Sequence, residues 1–161
     1  MRKVIAVVMM AFAGLVQAGI NSNIEYEYQV AVPKTMVDVV VTPAMCSEYS
    51  GLAVGAKVLF DLNLSDEAIQ NSMVNVAADN MGNRVVWSTF HMVLKLDTIT
   101  AMRDWPNQAE FQKVRKASPN QDERLYYQKY AEQQCKANQE GKTIKVLKVV
   151  RRVAGSNTEF K

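Results

Sequence analysis

The chain is poor in the residue types on which enzyme chemistry usually depends. It carries one histidine, His91, and two cysteines, Cys46 and Cys135, in 161 residues. A Ser-His-Asp triad would need His91 as its base, and no Gly-x-Ser-x-Gly elbow occurs to supply the nucleophile. There is no Walker loop, dinucleotide fingerprint, zinc-ligand cluster or calcium loop, so no cofactor is expected. The cysteines lack the Cys-x-x-Cys spacing that lowers a thiol pKa, which argues against a redox pair. Long apolar runs are also missing after the first residues. A membrane-spanning helix needs about 20 apolar residues, and none is expected in the mature chain.

What is present begins with a leader. "MRKVIAVVMMAFAGLVQAG" combines Arg2 and Lys3, an apolar run over Val4–Val16, and small residues around Ala18. That layout reads as a cleaved signal peptide over residues 1–18, with Gly19 as the mature N-terminus. Residues 19–161 then form a single exported domain, located in the periplasm or secreted. An oxidising compartment makes a Cys46–Cys135 disulfide the expectation, and with two cysteines the pairing is unique.

Charge is unevenly shared. Residues 19–97 hold four bases and nine acids, whereas residues 98–161 hold thirteen bases and seven acids. Opposed halves can attract within a chain or between chains, or mark an acidic partner. The basic excess is densest in "KTIKVLKVVRRV", where Lys142, Lys145, Lys148, Arg151 and Arg152 alternate with apolar residues. On an edge strand such lysines block aggregation. They are equally the candidate binding surface for an acidic partner. Nucleic acid is disfavoured by the leader and by the near-neutral mature charge.

The patterning suggests an α+β fold: an antiparallel sheet of five to six strands, two C-terminal helices on one face, and a final strand returning to the sheet. Ile24–Val32 alternates, and Met36–Thr42 resumes as a second strand. Pro43–Gly55 has loop composition, Ala56–Leu64 reads as a third strand, and Ser65 caps one helical turn before a hairpin. Arg84–Leu96 is the strongest strand signal, turning at Asn80–Asn83. Helices are expected at 106–117 and 119–140, with Ser118 and Gln121 as a capping box and Gly141 as the stop. In this arrangement the disulfide ties the helical layer to the sheet.

These readings point to a non-enzymatic protein of the bacterial cell envelope that acts by protein–protein contact, as assembly subunit, accessory or inhibitor, with self-association included. The free N-terminal segment Gly19–Asn23 is a candidate for adding to a neighbour's sheet edge. The alternative is a periplasmic copper carrier using His91, Met45, Met92 and further methionines, since thioethers suit Cu(I). Positions 87 and 91 of a strand lie about 13 Å apart, which separates Trp87 from His91 in that scheme.

Overall fold

Thr42 and Pro43 decide the architecture. The Thr42 hydroxyl accepts a hydrogen bond from the Met45 N–H at 3.3 Å, and Pro43 takes the first helical position, where a missing N–H is harmless. A helix, α1 (Pro43–Asp61), therefore starts where the composition suggests a loop and runs on through the expected third strand. The computed structural model describes residues 26–154 and 159–160. Residues 1–18, expected as a leader, and the Gly19–Asn23 segment lie outside the described residues.

Among the described residues the fold is mostly helical, which overturns the expected five- to six-stranded sheet. After α1 come α2 (Asp66–Asp79), α3 (Arg84–Val93), α4 (Leu96–Asp104), a short 3-10 turn at Trp105–Asn107, α5 (Ala109–Ala117) and α6 (Glu123–Asn138). Ser65 does cap a helix, accepting from the Ala68 N–H at 3.2 Å. That helix does not stop after a turn, because Ile69, Met73 and Ala77 form a buried stripe four residues apart. The expected strand over 84–96 is instead α3. Asn83 caps it through bonds from the Val85 and Val86 N–H groups, and Trp87, Phe90 and Val93 fall on its buried side. The two C-terminal helices are present. Asp122, however, is the cap of α6, while Ser118 follows the end of α5 and its carbonyl accepts from the Tyr126 hydroxyl.

The strands build one bent ribbon. β1 (Tyr26–Val30) pairs antiparallel with β4 (Val149–Val153), which also pairs with β5 (Glu159–Phe160); β2 (Met36–Val40) pairs with β3 (Thr143–Leu147). Only Lys148 separates β3 from β4, whereas the five residues Ala31–Thr35 separate β1 from β2, so the first strand makes an excursion opposite a single residue. Lys148 closes the bend: its carbonyl accepts from the Ala31 N–H at 2.9 Å, and its N–H donates to the Thr35 carbonyl at 2.8 Å. The register of β5 places Phe160 and Glu159 opposite Arg151 and Arg152.

Two apolar centres hold the layers together. The larger lies within the helices and contains a ring cluster in which Tyr127 meets Trp105 at 5.5 Å and Phe111 at 5.2 Å, and Tyr130 meets the same two rings at 5.0 and 5.3 Å. The smaller lies between helices and ribbon, where Val39, Val41 and Val146 pack on Met45 and the Cys46–Cys135 disulfide. The disulfide thus joins α1 to α6, helix to helix, rather than helix to sheet. Ala53 and Ala56 are fully buried on α1, and their small side chains allow close helix packing. Among the described residues one buried side-chain polar atom has no partner, the Ser88 hydroxyl oxygen.

Candidate functional site

In an antiparallel pair every second residue turns both its N–H and its C=O toward the partner strand, and the residues between turn theirs away. The Val41 N–H donates to the Lys142 carbonyl, and the Lys148 N–H to the Thr35 carbonyl. With the register Val37↔Val146 and Val39↔Ile144, this parity puts the outward-turned groups of β3 on Thr143, Lys145 and Leu147.

Helix α3 seals one end of that edge. The Leu147 N–H donates to His91 Nε2 at 3.1 Å, and the Leu147 carbonyl accepts from Trp87 Nε1–H at 2.8 Å. His91 Nδ1–H donates in turn to the Trp87 carbonyl at 2.9 Å, which fixes the tautomer with the proton on Nδ1. Residues 87 and 91 sit one turn apart on a helix, so their rings meet edge to face at 4.8 Å, instead of lying a strand's length apart. Nothing among the described residues takes the outward N–H and C=O of Lys145 or Thr143.

Beside this open edge lies a groove of about 620 Å³. One wall comes from the α3–α4 junction, with His91, Met92, Lys95 and Thr98. The facing wall is the second half of α6, with Tyr130, Gln134, Asn138 and Gln139. Ile144 and Lys145 border it on the ribbon, and Tyr49, Trp105, Gln108 and Cys135 complete it. The lining contains two lysines and no carboxylate. Burial, with Tyr130 beside it, pushes the Tyr49 hydroxyl up to about 12. Burial also raises Tyr130, with Glu110 adding to it, and the Tyr130 hydroxyl donates to Gln108 Oε1 at 2.7 Å. Phenols held neutral this far into the alkaline range donate hydrogen bonds; they are not bases near neutral pH. The groove offers donors, amides and an unpaired strand edge.

The residues singled out in the sequence meet different fates. Cys46 and Cys135 are bonded, with Cα atoms 5.4 Å apart. Of the copper candidates, His91 and Met92 both reach the groove, but Met45 is buried in the smaller apolar centre. Both ring nitrogens of His91 hold backbone groups, so a metal would have to displace the Leu147 N–H. Among the described residues no three His, Cys, Asp or Glu side chains cluster as a metal site. In the basic stretch, Lys145 Nζ pairs with Asp38 Oδ1 across the ribbon at 2.9 Å, and the register sets Glu27 and Glu159 on either side of Arg152. The acidic first half thus meets the basic second half within one ribbon. Lys142 and Lys148 are exposed, with Lys148 at the bend.

Tyr49, Lys95, Gln108, Gln134 and Asn138 were not legible as a site. The one available signal was the amide pair Gln134 and Asn138, one helical turn apart and hydrogen-bonded at 2.8 Å. Among the described residues no helix is long and apolar enough to cross a membrane. No protein-family model, curated protein or solved structure matches the chain.

Proposed function

We propose that this chain is an exported protein of the bacterial cell envelope, periplasmic or secreted, that acts by contact with another protein and not by catalysis. Cleavage after residue 18 belongs to this proposal, supported by the leader composition and by the disulfide, which persists in oxidising compartments.

The observation that carries the contact reading is a group of exposed apolar side chains on β2 and the turn before it. Val32 is 79% exposed, Met36 48% and Val40 53%, so large apolar side chains face water at the turn after β1 and along β2, whereas the Tyr28 ring lies over Gly82. Scattered single apolar residues need no explanation, but several on one short stretch of chain mark an interaction surface. The β2 edge beneath it is also open by the parity above, since Met36, Asp38 and Val40 turn their backbone groups away from β3. Assembly subunit, accessory and inhibitor all use such a surface.

Native mass spectrometry of protein purified from the export compartment without chelator tests the reading. An oligomer or a co-purified chain, lost when Val32 and Val40 are both replaced by Lys, supports it. A monomer with no partner overturns it. The copper reading rests on His91 and Met92 sharing the groove, and a copper adduct in the same spectrum would favour it.

A further inference from the structure

We propose that the groove beside β3 receives an extended acidic peptide segment of a partner protein, which pairs with the open edge of the strand at Lys145 and Thr143. This rests on the contact reading above and names its site and partner chemistry.

Three observations converge. The first is the unused hydrogen-bonding edge. The register turns the N–H and C=O of Lys145 and Thr143 away from β2, and no described residue takes them, whereas the same groups of Leu147 are held by His91 and Trp87. Strand addition uses such an edge, drawing affinity from main-chain bonds and selectivity from the pockets beside it. The sealed Leu147 end limits the added strand and fixes where it stops.

The second observation is room. A groove of about 620 Å³ is in the size range of ligand sites, and it is half open, so the edge borders a concave trough that an extended segment can enter from the side. The third is chemistry. Lys95 and Lys145 line the groove and no carboxylate does. Asp38 engages Lys145 from outside the lining, leaving Lys95 without an acidic partner among the described residues. The Tyr49 hydroxyl likewise has no hydrogen-bond partner there. Carboxylates on alternate positions of an extended segment would meet cations and phenolic or amide donors, while a basic segment would meet like charge.

Binding is read from Trp105, a groove residue, by tryptophan fluorescence. The probe is an octapeptide of alternating threonine and glutamate, capped at both ends. Its controls are the same peptide with lysine for glutamate and a version N-methylated at alternate backbone nitrogens. The acidic peptide is expected to bind saturably and more weakly as salt rises, and the controls are expected not to bind. Lys95→Glu should weaken the acidic peptide by about tenfold or more. Lys145→Pro removes a backbone N–H that β2 does not use, and should abolish binding where Lys145→Gln only weakens it. If Lys145→Pro fails to fold, the N-methylated peptide answers the same question. Equal binding of all three peptides, or of none, overturns the proposal. An oligomer or co-purified chain, with the octapeptide inert, would leave the contact function standing and refute the groove alone.

Discussion

Breaking the Cys46–Cys135 bond gives the most quantitative test of how this fold is held. The bond spans 89 positions of sequence and closes almost the whole helical body, from the start of α1 to the end of α6. On the chain-entropy relation a closed loop of about 90 residues stabilises the folded state by about 4.6 kcal/mol at room temperature. That is a large share of the roughly 5–15 kcal/mol that a domain of this size possesses. α1 and α6 also pack against each other, with Phe60 of α1 meeting Tyr127 of α6 at 6.4 Å and with Ala53, Ala56 and Ala131 buried. The bond therefore reinforces a contact that packing already specifies, and the reduced chain should still reach the same fold.

Urea unfolding of the oxidised protein, the reduced protein and the Cys46→Ala/Cys135→Ala variant separates the contributions. With a slope of about 2 kcal/mol/M, the reduced protein should unfold roughly 2 M earlier than the oxidised one. The slope itself should rise, because an unlinked unfolded chain exposes more surface. The double alanine variant should be weaker again by about 1 kcal/mol or more, since the two sulfurs are buried beside Met45 and Val146. A reduced midpoint within about 0.5 M of the oxidised one would refute the loop-closure account and place the stability in packing.

Four further perturbations have defined outcomes. His91→Leu leaves the Leu147 N–H without its acceptor and should cost about 1–3 kcal/mol in urea unfolding, whereas an unchanged midpoint would show that the clip is dispensable. Ser88→Ala removes a buried hydroxyl that has no partner, so it should leave stability unchanged or raise it by up to about 1 kcal/mol; a loss of more than that would expose a missed hydrogen bond. Burial pushes both Tyr49 and Tyr127 up to about 12, so their stabilising contribution is intact below pH 10 and lost as pH rises through 12. Tyrosine absorbance should therefore show a late-titrating fraction that appears together with unfolding, and its absence would refute the burial argument. The Asp66 carboxyl is held below the usual range by the Thr100 hydroxyl and then by Arg103, against an opposing push from burial. Its contribution is complete above about pH 4 and fades as pH falls through the lowered value, so Asp66→Asn should flatten the acid limb of the stability profile.

The parts of the fold written in local chemistry were legible in the sequence. Ser65 announces a helix start, Gly141 a stop, and the alternation of Tyr26–Val30 and Met36–Val40 gives true strands. Gly141 does adopt positive φ, at 79°, in the turn from α6 into β3. The failures have a common physical source. α1 buries Ala53, Gly55 and Ala56, and small residues that let two helices approach closely have the same composition as a loop. α3 is built from Val85, Val86, Trp87, Thr89 and Phe90, residues that favour strands when exposed to one neighbour at a time. Packing on α1 overrides that preference, and the Asn83 cap makes the helix start definite.

The same misreading hid the candidate site. Taken as a strand, residues 84–96 would lie within the sheet, and His91 would stand apart from Trp87. As a helix they set Trp87 and His91 on one face, able to reach both backbone groups of a single residue on another element. No sequence pattern encodes that pairing, because Leu147 is 56 residues from His91 and contributes only its backbone. Its consequence is selective. The helix saturates the β3 edge at Leu147 and stops before Lys145, so the fold blocks one end of the strand from unwanted association and leaves the next two outward positions open beside a cationic groove. An edge protected along part of its length, where a longer α3 would have covered it all, is the arrangement expected of a strand kept available for one kind of partner.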